Sequence, residues 1–347
     1  MPFVIPVFIP HQGCPHTCIF CNQHRISGQG VDTFVTPAQV RETILLWLSR
    51  RRSTRADETQ VAFYGGSFTG LSLPRQQELL RAVAPFLDSG QVRSIRLSTR
   101  PDYIDDERVA FLRSHGVAIV ELGVQSLDDR VLAACGRGHS AIHTFQAVEV
   151  LRQRGMAIGI QLMLGLPEQS SRSLIRSVKQ AAELKPDFVR IYPVLVLRDS
   201  QLHALYEKKK YLPLSLNNAV VKAAWMKKYF TLRNVRVVRM GLQPGRELEE
   251  SLVAGPYHPA FGEMVSARIM LQQTRRLLQG SGKDRRQILS ISDRDASIFR
   301  GVHSTNIDRL RELALADTFT LVTDREQPRF TLRKIKAVMH EDGLCSV

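Results

Sequence analysis

The sequence lacks long apolar runs and contains few cysteines. No hydrophobic stretch in its 347 residues approaches the roughly 18 residues that a membrane-spanning helix requires. The apolar segment 1–10 has no basic residues ahead of it and is too short for the core of a secretory signal. The five cysteines are too few and too unevenly spaced for a disulfide framework. These absences predict a globular protein of the cytoplasm, where thiols stay reduced and can bind metals.

Acidic residues are also in deficit, and the deficit is uneven. The formal net charge is +15, and residues 201–347 contribute +10 of it, with 25 Lys or Arg against 15 Asp or Glu. Residues 201–240 contain nine Lys or Arg and a single acid, Glu207. Such a segment favours a polyanionic partner, RNA above all, because neutralised phosphates release counterions. The alternative is a solvated basic surface, and the regularly spaced aromatics of a single-strand stacking platform are not visible.

Short β-branched segments alternate with segments of helical period through the first 200 residues. This alternation predicts a parallel sheet with right-handed crossovers, in a partial or complete (β/α) barrel. The predicted strands end in Gly, Ser, Thr or Pro, which is typical of the loops where α/β folds bind ligands. The six predicted strands are residues 2–9, 60–66, 94–100, 118–124, 157–165 and 188–196.

The pattern becomes less regular after residue 200. Residues 235–242 predict a possible further strand, and the Gly- and Ser-containing charged stretch 278–286 predicts a linker. Strand and helix signals beyond the linker indicate a small C-terminal α/β appendage. We therefore predict a core barrel with its extension in residues 1–276, and the linker with the appendage in residues 277–347.

Three of the five cysteines lie close together after the first predicted strand. Cys14, Cys18 and Cys21 have the spacing C-x3-C-x2-C. Three thiolates in one loop can hold a cubane iron-sulfur cluster by three irons, which leaves the fourth iron open to another ligand. Two alternatives stay open. One is a zinc site completed by His11 or His16, and the other is a redox pair formed by Cys18 and Cys21.

This loop, with Phe20 before its last cysteine and a repeating β/α chain after it, resembles the radical S-adenosylmethionine (SAM) superfamily. The resemblance implies a [4Fe-4S] cluster on Cys14, Cys18 and Cys21, whose open iron binds the amino and carboxylate groups of SAM. It also implies an enzyme that cleaves SAM by one-electron reduction. The resulting 5'-deoxyadenosyl radical abstracts hydrogen from a substrate, and an electron donor such as flavodoxin or ferredoxin supplies the electron.

The same resemblance places SAM contacts at the ends of the predicted strands. Gly65 and Gly66, which have no Cβ, would lie beside the amino group of SAM. Ser98 would face the ribose, and Arg137 would pair with the carboxylate. No catalytic residue is predicted. The predicted cofactor-binding residues are Phe20, Gly65, Gly66, Ser98, Gln125, Ser126 and Arg137, and the predicted metal ligands are Cys14, Cys18 and Cys21.

Three further stretches, 121–140, 163–170 and 191–215, resemble the radical SAM domain of the catalytic, third subunit of Elongator. That subunit modifies the wobble uridine of tRNA and also carries an acetyltransferase domain. Three features differ: the remaining sequence is too short for the acetyltransferase domain, the cysteines of that subunit's zinc site have no counterparts after residues 238–244, and Ser98 replaces an acidic residue. We expect a radical SAM enzyme acting on RNA, tRNA above all. The alternatives are an enzyme for a small molecule or protein, as in the coproporphyrinogen-oxidase-like branch, and a non-catalytic carrier.

The remaining candidates carry less information. Cys135 and Cys345 are predicted to be plain thiols rather than ligands. His139 and Tyr192 follow or end predicted strands, and each is predicted to be a structural residue.

Overall fold

The computed structural model describes residues 2–15, 18–27, 34–51, 59–279 and 286–335. The chain divides into two compact units. The first unit comprises residues 1–215 and 230–257, and the second comprises 216–229 and 258–347. None of the described helices is both long and apolar enough to cross a membrane.

The first unit is built on a sheet of seven parallel strands that curls into a half-barrel, in the order β1-β2-β3-β4-β5-β6-β8. All six predicted strands are confirmed, and so is the possible seventh. A separate antiparallel pair is formed by β7 and β9, which lie on either side of β8 in sequence. The strands are β1 Phe3–Phe8, β2 Thr59–Tyr64, β3 Ser94–Thr99, β4 Val117–Gln125, β5 Ala157–Leu164, β6 Phe188–Pro193, β7 Val196–Leu197, β8 Arg236–Met240 and β9 Leu252–Ala254.

Helices form the crossovers between the parallel strands, and polar side chains fix where several of them begin. The Thr36 hydroxyl accepts from the Gln39 backbone, and Asp105, Asp128 and Ser170 cap later helices in the same way. The helices are α1 Gln23–Ser27, α2 Pro37–Ser49, α3 Leu73–Asp88, α4 Asp106–Ser114, α5 Asp129–Ala134, α6 Ala141–Gln153, α7 Ser171–Glu183, α8 Gln201–Glu207, α9 Leu216–Thr231 and α10 Arg246–Ser251.

The two faces of the seven-stranded sheet differ in chemistry. On the face toward the crossover helices, alternate residues such as Phe63, Leu97 and Ile160 are apolar and fully buried. The opposite, concave face is here called the lumen face, and it carries polar residues. They are Tyr64, Arg96, Ser98, Glu121, Gln125, Gln161, Arg190 and Tyr192, and the strand register sets Ser98 beside Glu121 and Gln161 beside Arg190.

The second unit is a small α/β structure. Its three-stranded sheet has the order β11-β10-β12, with β11 parallel and β12 antiparallel to the central strand. Apolar residues of the sheet, among them Leu289 and Phe319, share a core with helix residues such as Met270. Its elements besides α9 are α11 Phe261–Leu278, β10 Gln287–Ser292, α12 Ala296–Arg300, α13 Thr305–Glu312, β11 Phe319–Asp324 and β12 Leu332–Ile335.

The predicted boundary after residue 276 falls inside α11. Ala267, Met270 and Leu278 of this helix pack into the core of the second unit, so the helix is continuous with that unit. Most of the predicted linker, 280–285, lies outside the described residues. The division into domains at residue 276 stays a prediction.

Candidate functional site

The cysteine loop leaves the C-terminal end of β1 and follows the backbone that leaves β2. The Ile9 amide donates to the Tyr64 carbonyl at 2.7 Å, and the His11 amide donates to the Gly65 carbonyl at 2.9 Å. The chain then turns through Gly13, whose φ is +71°, into Cys14. The loop therefore lies at the edge of the sheet where parallel strands end, the usual place for ligands in such folds.

The second half of the loop is fixed by other contacts. The Cys21 amide donates to the Cys18 carbonyl at 2.9 Å, which forms a tight turn, and the Ile19 amide donates to the Cys135 carbonyl at 3.1 Å. Phe20 packs in an apolar cluster with residues that include Leu166. The loop is thus attached to the end of α5 and to the turn after β5.

The three thiols lie close enough to influence one another. Cys14 is exposed, Cys18 is buried and Cys21 is partly buried, and all three are free thiols. Although part of the Cys14 side chain reaches solvent, the protein packed around it desolvates the thiolate and raises the pKa of Cys14, and burial raises the pKa of Cys21 to about 12. The nearby charge of Cys18 raises both pKa values further. Thiols with raised pKa values stay protonated until a metal displaces the proton.

Among the described residues, no three His, Cys, Asp or Glu side chains converge on a single metal ion. A zinc ion draws its four ligands to within about 2.3 Å of one centre. A cubane cluster is larger than a single ion, and its three thiol ligands each bind a different iron, so the thiols need not converge on one point. The donor set of this loop, three thiols, fits the cluster. His16, one candidate for completing a zinc site, lies outside the described residues.

Glycines let the cysteine loop pack directly on the backbone after β2. A Cβ on Gly66 would lie 2.4 Å from the Gln12 carbonyl oxygen and 2.5 Å from that of Ile9. The same two loops meet again at Gly13 and Gly70, where a Cβ on either would lie within 2.1 Å of backbone oxygen. Gly66 therefore has a packing role, whatever contact it makes with a cofactor, whereas a Cβ on Gly65 would meet no atom closer than 3.5 Å.

Gly66→Ala is expected to displace the cysteine loop. Backbone oxygens cannot yield as a flexible side chain can, so the overlap should cost about 1–3 kcal/mol of stability and lower the iron content after reconstitution. Gly245→Ala is the matched control, since the nearest atom to its Cβ is 3.9 Å away. Melting temperature and bound iron are measured together, and equal values for the two variants contradict the packing role.

In the segment after α5, several buried polar atoms lack a partner among the described residues, and one of them belongs to Arg137, which contacts the Cys18 thiol. Arg137 donates to Cys18 Sγ at 3.0 Å and to the Gly123 carbonyl, but its Nε is buried and unpaired within the described residues. Both ring nitrogens of His139 are in the same condition there. Burial lowers the pKa of His139 to about 3, and the charge of Arg137 adds to this effect, so the imidazole is neutral. Unpaired buried donors indicate room for a polar ligand.

Gln125 and Ser126 end β4 in different environments. Gln125 has φ of +65°, and its Oε1 is buried and without a partner among the described residues. A strained backbone together with an unsatisfied side chain is typical of ligand sites. The Ser126 hydroxyl is instead paired with the Ser177 hydroxyl of α7 at 3.2 Å and accepts from the Asp128 amide. The structure thus brings Gln125, but not the Ser126 hydroxyl, toward the unpaired polar groups.

An ionic network on the lumen face was not predicted from the sequence. Glu121, fully buried, pairs with Arg96 at 2.8 Å and with Arg190 at 2.8 Å, and it accepts from the Tyr64 hydroxyl at 2.9 Å. Gln161 Nε2 donates to Glu121 at 3.4 Å and to the Ser98 hydroxyl at 3.2 Å. Ser98, the predicted ribose contact, is therefore tied to this network. The sequence signal that could have predicted this network is the polar residue at every second position of consecutive strands.

The turn after β5 lies at the same edge of the sheet and is held rigidly. The Gln169 side chain accepts from the Gly165 amide at 2.8 Å and donates to the Met163 carbonyl at 3.1 Å. The Tyr211 hydroxyl donates to the Gly165 carbonyl at 2.6 Å. Because Tyr211 directly follows Lys208–Lys210, this bond attaches the exposed lysine segment to the rim of the half-barrel.

Comparison with known proteins identifies the family. The model of the radical SAM superfamily matches residues 8–181, and that of the radical SAM C-terminal domain matches residues 186–271. The chain belongs to the radical SAM superfamily. Radical SAM proteins are generally enzymes and use a [4Fe-4S] cluster with SAM, so the predicted enzyme class and cofactors are confirmed. Which residues bind the cofactors stays a prediction.

Relatives of known name fall into more than one functional group. The chain is 24% identical over 261 residues to the tRNA uridine(34) acetyltransferase of Methanocaldococcus infernus, covering 65% of this chain and 49% of that protein. It is 26% identical over 205 residues to the heme chaperone HemW of Lactococcus lactis, covering 58% and 52%. The chain thus spans about half the length of these relatives. Their activities are not transferred with the match.

A solved structure supports the predicted fold. Elp3 of Methanocaldococcus infernus superimposes with a TM-score of 0.61 at 21% identity, over 78% of this chain and 63% of that one. At this identity the superposition shows the fold alone. The predicted (β/α) radical SAM architecture is therefore confirmed, as a half-barrel.

Proposed function

We propose that Cys14, Cys18 and Cys21 bind the [4Fe-4S] cluster and that SAM lies beside them at the C-terminal edge of the sheet. The observation that carries this proposal is a loop of three neighbouring thiols beside Arg137, whose buried Nε has no partner in the part of the chain that the structure describes. When bound, the cluster and SAM supply a 5'-deoxyadenosyl radical to a substrate. The test is anaerobic production of 5'-deoxyadenosine by the reconstituted enzyme.

The chain's own groups have separate tasks in this proposal. Arg137, with one buried nitrogen unpaired, offers a cation to a carboxylate. The Ser98 hydroxyl accepts from Gln161, so its own hydrogen is left to donate toward a ribose. Gly65 and Gly66 keep side chains out of the space between the cysteine loop and β2. Gln125 and Phe20 stay as proposed contacts of the cofactor.

The substrate class that we propose is RNA, with tRNA as the preferred candidate. Three exposed lysines, Lys208–Lys210, follow α8 and are attached through Tyr211 to the turn after β5. A fixed cationic segment at the rim of the half-barrel suits a phosphate backbone whose base enters the lumen. The similarity to tRNA uridine(34) acetyltransferases supports this choice.

Reversing the charge of the rim should weaken RNA binding. With Lys208, Lys209 and Lys210 changed to Glu, each lost phosphate contact removes about 0.7 from the slope of log affinity against log salt for single strands, or about 0.9 for duplex. SAM cleavage without substrate should be unchanged. A fluorescent tRNA titrated at several salt concentrations measures the affinity and its dependence on salt. If the three lysines are only a solvated surface, the variant should show the wild-type affinity and the wild-type slope.

The second candidate is a reaction on a small molecule or a protein. The heme chaperone relatives, 26% identical over 205 residues, favour it. The two candidates differ in which additive accelerates formation of 5'-deoxyadenosine. An RNA enzyme is accelerated by tRNA, whereas the alternative enzyme responds only to the small molecule or protein, and a non-catalytic carrier responds to neither. Sequencing of cross-linked, co-purified RNA identifies the species in the first case.

A further inference from the structure

An exposed aromatic residue of the second unit has a strained backbone. Phe330, in the segment between β11 and β12, is 45% exposed and has φ of +62°. A bulky side chain rarely adopts this left-handed conformation, because its Cβ approaches the backbone too closely. Such strain persists only where the surroundings impose it, and it is concentrated at ligand-binding positions.

Two buried side chains impose this conformation. Asp295, which is fully buried, accepts from the Phe330 amide and from Arg329 Nε, the latter at 2.9 Å. Gln327, also buried, exchanges hydrogen bonds with Ser290 of β10 and donates to the Thr331 carbonyl at 3.0 Å. The segment is therefore pinned on both sides of Phe330. The ring is presented at the surface by a rigid backbone.

Cations lie against the ring. Lys227 Nζ is 4.5 Å from the ring centroid and donates to the Ser266 hydroxyl at 2.9 Å, so it is anchored to α11. Arg329 Cζ is 4.7 Å from the same centroid, and its side chain is 42% exposed. Burial lowers the pKa of Lys227 to about 8, partly offset by Asp295. Lys227 is thus half-buried beside the ring, and Arg329 is the more exposed of the two cations.

We infer that Phe330, with Arg329, forms a stacking platform for a base of single-stranded RNA. Aromatic rings and guanidinium planes are the surfaces on which proteins stack unpaired bases, and the cations beside them attract the phosphates. The next strand adds exposed Arg333 and Lys334. The charged neighbours distinguish this site from an apolar anchor for a protein partner, whose surroundings are depleted of charge. This inference rests on the RNA substrate class of the proposed function.

The test uses a fluorescent, unstructured RNA of about ten nucleotides that contains 2-aminopurine, whose emission falls on stacking. Phe330→Ala is expected to weaken binding by about 5- to 150-fold, the range for one lost stacking contact, and to restore the 2-aminopurine emission. Phe330→Trp should bind the RNA as tightly as the wild type and keep the 2-aminopurine emission low. Phe34→Ala, which removes another exposed aromatic ring (68% exposed), is the matched control and should bind like the wild type.

A further variant separates recognition from folding. Phe330→Gly removes the ring and also relieves the strain, because glycine adopts this φ freely. It should melt at or above the wild-type temperature and yet bind RNA as weakly as Phe330→Ala. A variant that melts lower while binding RNA normally overturns the platform and assigns the ring a structural role.

The pattern across variants distinguishes the platform from the RNA proposal itself. If the Lys208–Lys210 reversal weakens RNA binding and Phe330→Ala does not, the platform is refuted and the RNA substrate stands. If the wild type binds no RNA at low salt, both are refuted. An RNA duplex serves as an internal comparison, since its bases are not free to stack. Equal losses for duplex and single strand in Phe330→Ala contradict base stacking.

Discussion

Alanine in place of Cys14, Cys18 or Cys21 is expected to abolish the cluster in anaerobically reconstituted protein, whereas the wild type should hold about four irons and four sulfides. In the proposed site each thiolate binds a different iron, and two thiolates could not retain a cubane that already has one open iron. Iron and acid-labile sulfide are assayed in each variant. SAM-dependent formation of 5'-deoxyadenosine should disappear with the cluster.

Cys135→Ala and Cys345→Ala are the controls for this experiment. Cys135 is buried beside the loop and offers its backbone carbonyl, not its thiol, to Ile19. Cys345 lies outside the described residues. Both variants should keep the full iron content. Stoichiometric zinc without iron in the wild-type protein, prepared under the same conditions, contradicts the assignment of the three cysteines to an iron-sulfur cluster.

Local sequence signals were sufficient for much of this structure. The strands were predictable because β-branched runs such as residues 3–9 alternate with segments of helical period, and parallel strands place their C-terminal ends together. The cysteine loop was predictable because its three cysteines lie within eight residues of the sequence. The turn after β5 was visible as Gly165 followed by Leu and Pro. These features depend on neighbours along the chain, which a sequence displays directly.

Features formed by strand register were not predictable in this way. Glu121, Arg96 and Arg190 lie on three different strands, and only the successive pairing of β3 with β4, β4 with β5 and β5 with β6 brings them together. The strained Phe330 depends on Asp295, 35 residues earlier in the chain. The packing role of Gly66 likewise depends on the distant Gln12 carbonyl. Each of these contacts is made in space and has no local signature.

The lumen network joins strands of the half-barrel through one buried carboxylate that two guanidinium groups share. Arg96 and Arg190 expose only 7% and 15% of their side chains, and Glu121 exposes none. Tyr64 and Gln60 take up further guanidinium hydrogens. Removing two cations and an anion from water is costly, and the network compensates that cost only while it is complete. The contacts join strands β2, β3, β4, β5 and β6 across the curl of the sheet.

Glu121→Ala is therefore expected to lower the free energy of unfolding by about 3–5 kcal/mol, because it leaves two buried guanidinium groups without their shared carboxylate. The measurement is urea unfolding followed by circular dichroism. The control is Glu250→Ala, which breaks an exposed pair with Arg246 and should leave the unfolding midpoint unchanged within error.

Replacing Arg96 and Arg190 by Met together with Glu121 by Leu should recover most of the loss, since apolar residues of similar volume need no partner. If Glu121→Ala unfolds at the wild-type midpoint, water reaches the two arginines and the network is not a buried one; if the triple variant is as unstable as Glu121→Ala, the loss comes from packing volume and not from unpaired charge.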